Sequence, residues 1–245
     1  MRLVYGSALA VVAFAIASSA RVLAQPPTAA KAPAAGDGSR AVAGGGILNA
    51  PGWTGKIDAG EAKNGLTLDS AKFAVEGSTI KVTTGPAVTY WNTANKASGD
   101  YTVKASFLEP KYMNLNSHPH PYGIVIAGND MGTDDQSELY CAAYGNGNFI
   151  VRGFGPTVFN MNGRGASPSP AVHKAAAVGE PVSQDVAISV KGGRVECLIN
   201  GTVVAGYDKG EVVGAEKLKS TDGVYGLRFA HNTEVQVTGF TMTKN

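Results

Sequence analysis

The chain has 245 residues, of which 44% are hydrophobic and only 16% are charged, and it contains 32 glycines. This composition excludes a coiled coil, which needs about half Ala, Glu, Lys, Leu and Arg, and it is too apolar for a wholly disordered chain. The formal net charge of +2 provides no basic stripe, so no nucleic-acid partner is expected.

The first 24 residues have the pattern of a secretory signal peptide. Arg2 supplies a positive start, residues 8–17 form an apolar stretch, and residues 22–24 fit the small-residue rule for cleavage. The apolar stretch is too short for a membrane-spanning helix, which needs about 20 residues. Cleavage after Ala24 would remove Arg2 and Arg21 and leave a formal charge of zero. We therefore expect an exported protein, periplasmic or extracellular, with no transmembrane span in the mature chain.

Residues 25–46 have the composition of a disordered linker. They are mainly Ala, Pro and Gly, and Val42 is the only large apolar residue among them. Such a segment cannot bury enough surface to offset the entropy lost on ordering it. The folded domain is therefore expected to span residues 47–245.

Apolar residues in this domain recur at every second position, which is typical of strands. The segments that show the alternation or a short apolar run are 79–83, 87–91, 100–108, 122–127, 137–144, 149–154, 186–207, 223–231 and 234–242. One segment, 171–178, has a helical pattern. Many short strands separated by turn signals predict an all-β sandwich or jelly roll.

The clearest stretch is 186–207, where Gly192-Gly193 and Asn200-Gly201 are both two-residue hairpin signals. If these pairs are the turns, three strands form a meander with one apolar face. The predicted neighbours include Ile188 with Cys197, Leu198 with Val203, and Cys197 with Val204.

Two C-terminal segments resemble the concanavalin A-like lectin/glucanase superfamily. They are VAISVKGGRVECLINGTVVAGYD (186–208) and DGVYGLRFAHNTEVQVTGFTM (222–242). The stretch DYTVKASFLEP, followed after a loop by PYGIVIAG, is similar to the early strands of the 3-keto-disaccharide hydrolase-like branch of that superfamily. The resemblance covers residues 53–243. It implies a concanavalin A-like jelly roll of two antiparallel sheets, whose concave face often holds a saccharide.

In that branch one strand carries a Glu-x-Gln-like pair that faces the concave side. Glu138 matches the Glu, and Tyr140 stands in place of the Gln. The resemblance implies that Glu138 is the base of any glycoside-cleaving reaction. Ordinary glycosidases use two carboxyl groups about 5–9.5 Å apart, and the strands offer no clear second one.

The position of Arg152 relative to Glu138 depends on the loop between their two strands. A two-residue turn pairs Arg152 with Cys141, whereas a three-residue loop pairs it with Tyr140. The second register would gather Glu138, Tyr140 and Arg152 in one cluster, with Tyr144 on the same face. In the glycoside-cleaving enzyme that the resemblance implies, Arg152 or a histidine would be the electrophile. We favour it because it keeps Cys141, a habitually buried residue type, on the apolar side.

Further candidate ligand-binding residues lie in loops and at strand ends. Tyr112, His118 and His120 belong to a proline-containing loop, in which a metal shared by the two histidines would need a sharp bend between them. Arg228 lies near the end of a strand, where alternation places it on the opposite face from His231.

Asp130, Asp134 and Asp135 form an acidic cluster. The surrounding loop lacks the ligand spacing of an EF-hand, so calcium would have to be held with the help of backbone carbonyls. Calcium is the one cofactor that the sequence suggests.

Two alternatives are open for Cys141 and Cys197. Export favours a disulfide between them, which needs Cα atoms within about 7 Å. Cys197 on the apolar face of the meander is equally consistent with a thiol buried in the core.

Three functions are compatible with these features. The main prediction is an exported domain that binds a saccharide on the concave sheet, and the others are a glycoside-cleaving enzyme resembling the 3-keto-disaccharide hydrolases and a non-catalytic structural or protein-contact module of the cell envelope. Oligomeric state is not predicted. The aromatic and amide residues that favour sugar binding are Trp91, Asn92, Tyr112, Asn114, Asn116, Tyr122, Asn146 and Asn148.

Overall fold

The computed structural model describes residues 38–112, 114–115 and 118–245, with the backbone alone at 114, 115 and 118. The predicted signal peptide (1–24) and residues 25–37 of the predicted linker lie outside the described residues. The side chains of Asn114, Asn116 and His118 also lie outside them.

Within these residues the chain forms eighteen strands. They are β1 (Gly46–Leu48), β2 (Trp53–Ile57), β3 (Lys72–Glu76), β4 (Thr79–Thr83), β5 (Val88–Ala97), β6 (Tyr101–Glu109), β7 (Asn114–Leu115), β8 (His118–Pro119), β9 (Tyr122–Asn129), β10 (Ser137–Ala143), β11 (Asn148–Phe154), β12 (Phe159–Asn160), β13 (Ser167–Pro168), β14 (Val182–Lys191), β15 (Arg194–Ile199), β16 (Thr202–Asp208), β17 (Gly223–Phe229) and β18 (Glu234–Lys244).

Helices are few and short. They are α1 (Ala59–Lys63), α2 (Lys209–Val212) and a 3₁₀ turn at Leu68–Ser70. In the part of the chain that the structure describes, no helix is long and apolar enough to cross a membrane.

Two large sheets face each other across the core. The first has the order β1-β3-β4-β18-β6-β14-β15-β16, and the second has the order β12-β11-β10-β9-β17-β5-β2, with β13 also paired to β11. The short strands β7 and β8 pair only with each other among the described strands, and every pairing within the described ladders except β1 with β3 is antiparallel. The predicted two-sheet antiparallel sandwich is confirmed.

Alternating side chains build the core from both sheets. Strand β6 directs Tyr101, Val103, Ala105 and Phe107 inward, as its alternation predicts, and each is buried. From the second sheet, the largest side chains that are buried in the same core are Tyr90, Tyr122, Ile124, Ile126, Leu139 and Phe229.

The predicted meander is present as β14, β15 and β16, with one difference in register. Ile188 lies opposite Cys197 and Leu198 lies opposite Val203, as expected. Cys197 pairs with Ala205 rather than with Val204, because a β-bulge between Cys197 and Leu198 shifts the ladder.

Cys141 and Cys197 form a disulfide that joins β10 of the second sheet to β15 of the first. Their Cα atoms are 5.9 Å apart. The bond therefore ties the two sheets together through the middle of the core.

The helix predicted over 171–178 is wrong. The segment lies against the second sheet instead, where Lys174 forms a β-bridge with Asn146 and the amide of Ala175 donates to the carbonyl of Gly145 at 2.8 Å. A helix of two turns is marginal by itself, so these tertiary hydrogen bonds outweigh the helix propensity of the alanines.

The described chain contacts the sandwich before residue 47. The amide of Arg40 donates to Asn232 Oδ1 at 3.0 Å, and the amide of Val42 donates to the carbonyl of Ser70 at 2.9 Å. The parallel pairing of β1 with β3 follows directly. Part of the segment predicted as a linker is thus attached to the edge of the first sheet.

Candidate functional site

The outer face of the second sheet, which points away from the core, carries its own apolar cluster. Leu139 and Cys141 face inward, so their neighbours on β10 must point outward. Tyr140 and Ala142 pack there with Val125 and Ile150, and the partly buried rings of Tyr144 and Phe154 pack against this cluster. These aromatic rings are the base on which two clefts are built.

The first cleft has a volume of about 330 Å³, and we call it the Glu138 cleft. The polar and aromatic residues that line it are Lys56, Asp58, Thr89, Asp134, Gln136, Glu138, Phe154 and Arg228. The second has a volume of about 520 Å³, and we call it the Arg152 cleft. The corresponding residues of the Arg152 cleft are Asp58, His120, Tyr140, Tyr144, Asn146, Asn148, Arg152, Arg164, Arg228 and His231.

An ion pair between Asp58 and Arg228 is shared by both clefts. Arg228 Nη1 donates to Asp58 Oδ1 at 2.7 Å, and Nη2 donates to Oδ2 at 2.6 Å, so the guanidinium and carboxylate meet as two parallel forks. The Arg228 side chain is only 8% exposed, whereas that of Asp58 is 35% exposed. The guanidinium also lies 5.6 Å from the ring centre of Tyr140 and 5.1 Å from that of Phe154.

Electrostatics keep Arg228 charged in this environment. Burial opposes the charged form, but the adjacent Asp58 carboxylate, together with Tyr140 and Glu138, outweighs burial and raises the pKa of Arg228 above its ordinary value. Arg228 is therefore a permanent, fully paired cation between the clefts.

The chain directs Asp58 to this position at the end of β2. Asp58 is the N-cap residue of α1, and its carbonyl accepts the amide of Ala62 at 3.1 Å. An N-cap aspartate commonly bonds the first helical amides through its side chain, but Asp58 makes no such bond. Its carboxylate is thereby free to reach Arg228.

Glu138 is completely buried beside this ion pair. Its Oε1 accepts a hydrogen bond from Thr89 Oγ1 at 2.7 Å, and its Oε2 accepts one from Gln136 Nε2 at 3.0 Å. Burial raises the pKa of Glu138 above its ordinary value, although Arg228 and the Thr89 hydroxyl pull it down. A glutamate in this state can hold a proton at pH values where exposed glutamates are ionised.

Substitution Glu138→Gln is expected to stabilise the protein relative to wild type increasingly as the pH rises. The folded pKa of Glu138 lies above the ordinary value of 4.5, so wild type loses stability as the pH rises from about 4.5 through the folded pKa. Each pKa unit between the folded and unfolded states corresponds to about 1.4 kcal/mol. Urea unfolding at several pH values between 4 and 8 measures the difference.

The matched control for that experiment is Glu216→Gln, which removes an exposed carboxylate. Its effect on the free energy of unfolding should vary little over the same pH range. If the free energies of unfolding of wild type and Glu138→Gln differ by the same amount at all pH values, the raised pKa of Glu138 is contradicted.

The register favoured for Arg152 is confirmed. Tyr140 lies opposite Arg152, and Cys141 lies opposite Val151. The predicted cluster nevertheless differs, because the cation whose charge acts on Glu138 is Arg228 and not Arg152. The Nε of Arg152 donates to Asn160 Oδ1 at 2.7 Å instead.

Arg228 and His231 both line the Arg152 cleft, so their predicted placement on opposite faces is wrong. The alternation argument fails because β17 ends at Phe229 and the chain turns after it. The ring of His231 lies 4.3 Å from that of His120, edge to face.

Other predicted site residues are distributed more widely. Tyr112 is buried and lines neither cleft. Trp91 and Tyr122, which were expected to favour sugar binding, are 4% and 0% exposed, and Tyr122 belongs to the core. Asn92 donates to the carbonyl of Pro51 at 3.2 Å. Trp91, Asn92, Tyr112 and Tyr122 therefore line neither cleft.

The three residues of the predicted acidic cluster, Asp130, Asp134 and Asp135, have different surroundings. Asp130 forms an ion pair with Lys219, and Asp134 lines the Glu138 cleft, while Asp135 is exposed. Among the side chains of residues 38–112 and 119–245, no three His, Cys, Asp or Glu are grouped in a way that could hold a metal ion.

Six polar or aromatic residues of the clefts were missed in the sequence. They are Lys56, Asp58, Thr89, Gln136, Phe154 and Arg164. Only Asp58 had a recognisable signal, since it stands between a strand and a short helix. Its partner Arg228 is 170 positions away, a distance over which local patterns carry no information.

Several solved structures are similar to this chain. The carbohydrate-binding module CBM66 from Bacillus subtilis matches with a TM-score of 0.52 and 10% identity, over 80% of this chain and 98% of that one. A protein of unknown function with a galectin-like fold from Bacillus subtilis matches with a TM-score of 0.52 and 11% identity, over 78% and 89% of the chains. An endo-β-1,3-glucanase from Pyrococcus furiosus gives a TM-score of 0.49 at 11% identity, over 79% and 89%.

No family model matches the sequence, and no curated protein matches it. Identities this low show a shared fold and nothing more specific. The two matches with a TM-score of 0.52, together with the order of strands, show that the chain folds as a β-sandwich of the concanavalin A/galectin-like type.

Proposed function

We propose that this protein binds a saccharide in the Arg152 cleft. The observation that carries the proposal is the combination, in one cleft, of the half-buried Tyr144 ring with the amides Asn146 and Asn148 and the guanidinium of Arg152. Sugar sites need an aromatic face and several convergent hydrogen-bonding groups. A volume of about 520 Å³ is within the range of small-molecule sites.

Hydrogen bonds within the loop after β10 hold Tyr144, Asn146 and Asn148 in place. The amide of Tyr144 donates to the carbonyl of Asn148 at 2.9 Å, and the amide of Asn148 donates to Asn146 Oδ1 at 3.2 Å. Gly147 takes a φ of 90°, which other residues rarely adopt, and closes the loop. A preformed site reduces the entropy lost on binding, which favours a binding role.

The fold supports the same proposal, because a carbohydrate-binding module shares it. The disulfide between Cys141 and Cys197 supports export, since disulfides persist mainly in oxidising compartments. We therefore propose that residues 1–24 direct export and that the domain acts in the periplasm or outside the cell.

Tyr144→Ala is expected to weaken saccharide binding at least about fivefold, because losing an aromatic contact at the centre of a binding site commonly costs more than about 1 kcal/mol. A thermal-shift screen of neutral and acidic oligosaccharides, each with calcium and with a chelator, would find the ligand. At 100 times its Kd a ligand raises stability by about 2.7 kcal/mol. Titration calorimetry would then compare wild type with the variant.

Val203→Ala, on the exposed face of β16 in the first sheet, is the control and should bind as wild type does. Absence of a shift with every saccharide would overturn the proposal and favour a structural or protein-contact module. Binding that Tyr144→Ala leaves unchanged would place the site elsewhere.

A second candidate is cleavage of a glycosidic bond, as the resemblance to 3-keto-disaccharide hydrolases implies. It is favoured by Glu138, whose raised pKa and position beside Asp58 resemble the carboxyl pairs used in acid–base chemistry. Both oxygens of Glu138 already accept hydrogen bonds from Thr89 and Gln136, which is why we rank binding above cleavage. Products formed from 3-keto-glycosides by wild type and lost in Glu138→Gln would reverse that ranking.

A further inference from the structure

The Arg152 cleft is lined by more arginines than carboxylates, so its side chains have a net positive charge. Three arginines line it, namely Arg152, Arg164 and Arg228. Among its described lining residues the one carboxylate is that of Asp58, which is already paired with Arg228. Neither Arg152 nor Arg164 takes part in any ion pair within the described chain.

Arg152 is held in a fixed orientation with most of its donors unused. Its Nε donates to Asn160 Oδ1 at 2.7 Å on the neighbouring strand, and no other hydrogen bond of its guanidinium is formed within the described residues. The two terminal nitrogens therefore remain available as a planar fork, which matches a carboxylate in two parallel hydrogen bonds.

The charge of Arg152 reaches the tyrosines of the same cleft. Burial raises the pKa of Tyr144 to about 12, and Arg152 opposes that rise. Arg152 opposes the raised pKa of Tyr140 in the same way. The guanidinium thus lies beside the aromatic surface on which a sugar ring would pack.

Arg164 belongs to the loop between β12 and β13, and that loop is attached to β11. Asn162 Oδ1 accepts the amide of Val151 at 2.8 Å, and Asn162 Nδ2 donates to Ser167 Oγ at 3.0 Å. Arg164 itself is exposed and reaches the same cleft as Arg152. Two unpaired cations that line one cleft repel each other, and an anion bound in that cleft would relieve the repulsion.

We propose that the Arg152 cleft takes an acidic saccharide, a uronate whose carboxylate is bound by Arg152 and Arg164 while a sugar ring packs on Tyr144. This inference rests on the proposed saccharide-binding function and specifies its ligand class. A neutral sugar could use the tyrosine and the amides, but it would leave both guanidinium groups without a counter-charge.

The test is titration calorimetry with short oligomers of galacturonate, glucuronate and mannuronate, each compared with its own methyl ester. Esterification removes the charge and preserves the ring, so at least one oligouronate should bind at least about tenfold more tightly than its ester. In the double variant Arg152→Gln/Arg164→Gln the oligouronate and its ester should bind with equal affinity, because the protein no longer supplies the opposite charge. Arg194→Gln, on the first sheet, is the control and should keep the same preference for the oligouronate over its ester as wild type.

The outcomes separate this inference from the proposed function. Equal binding of oligouronates and esters, sensitive to Tyr144→Ala, would overturn the inference and leave saccharide binding intact. An advantage that survives in the double arginine variant would also overturn it, as would binding of sulfated but not uronate oligosaccharides. If no saccharide of either kind binds, both proposals fail.

Discussion

Replacing Asp58 by alanine is expected to lower the free energy of unfolding by about 3 kcal/mol. Loss of one partner of a buried ion pair costs about 3–5 kcal/mol, because the other charge is left buried and unpaired. We expect a loss at the lower end of this range because the Asp58 side chain is 35% exposed, although that of Arg228 is only 8% exposed. Helix capping does not contribute to the loss, since the Asp58 side chain makes no cap hydrogen bond. Urea unfolding at pH 7 measures the change.

Glu138 makes this loss depend on pH. When Asp58 is absent, ionised Glu138 is the remaining carboxylate whose charge acts on Arg228. The loss in Asp58→Ala should therefore be larger at pH 4, where Glu138 holds its proton, than at pH 8. A loss that is the same at both pH values would show that Glu138 does not replace Asp58.

Glu76→Ala is the matched control for Asp58→Ala. The ion pair of Glu76 with Lys81 has the same 2.6 Å separation as that of Asp58 with Arg228, but its side chains are 55% and 49% exposed. Exposed pairs contribute about 0–1 kcal/mol. Equal losses in the two variants would contradict the argument that burial, and not distance, sets the energy of the Asp58–Arg228 pair.

Removal of the disulfide is expected to cost about 4 kcal/mol. Cys141 and Cys197 are 56 positions apart, and a crosslink that closes a loop of this length removes about that much chain entropy from the unfolded state. For a domain of this size the loss corresponds to a decrease in Tm of roughly 8–16 °C. Thermal unfolding of the double variant Cys141→Ala/Cys197→Ala measures it.

Reducing agent supplies the control for the disulfide experiment. Wild type in dithiothreitol should unfold close to the temperature of the double variant, and the variant should not respond to dithiothreitol. Two free thiols detected in unfolded, unreduced wild type would contradict the bond itself.

Local features of the sequence were sufficient for the strands and several pairings. The alternation of Tyr101, Val103, Ala105 and Phe107 predicts their inward face, because successive side chains of a strand must point to opposite sides. Gly192-Gly193 and Asn200-Gly201 predict the turns of the meander, since such turns require positive φ at both central residues. The burial preference of Cys141 was enough to choose the register of Arg152.

The same local reasoning failed where contacts from elsewhere in the chain outweighed it. Alanines at 171–178 favour a helix, but hydrogen bonds to Gly145 and Asn146 hold the segment against the second sheet. The β-bulge between Cys197 and Leu198 could not be predicted, because the residues before it alternate regularly between apolar and polar.

The sequence by itself determined the all-β fold class, the hairpin turns of the meander and the buried face of β6, because alternation and turn signals depend on neighbours two or three positions away. Only the tertiary structure decided that Arg228 and not Arg152 is the cation whose charge acts on Glu138, and that Asp58 is its counter-ion. These groups come from β2, β10 and β17, and sheet order brings them together. Burial then shifts the pKa values of these groups. Because burial depends on how the sheets pack, it cannot be inferred from a short stretch of residues.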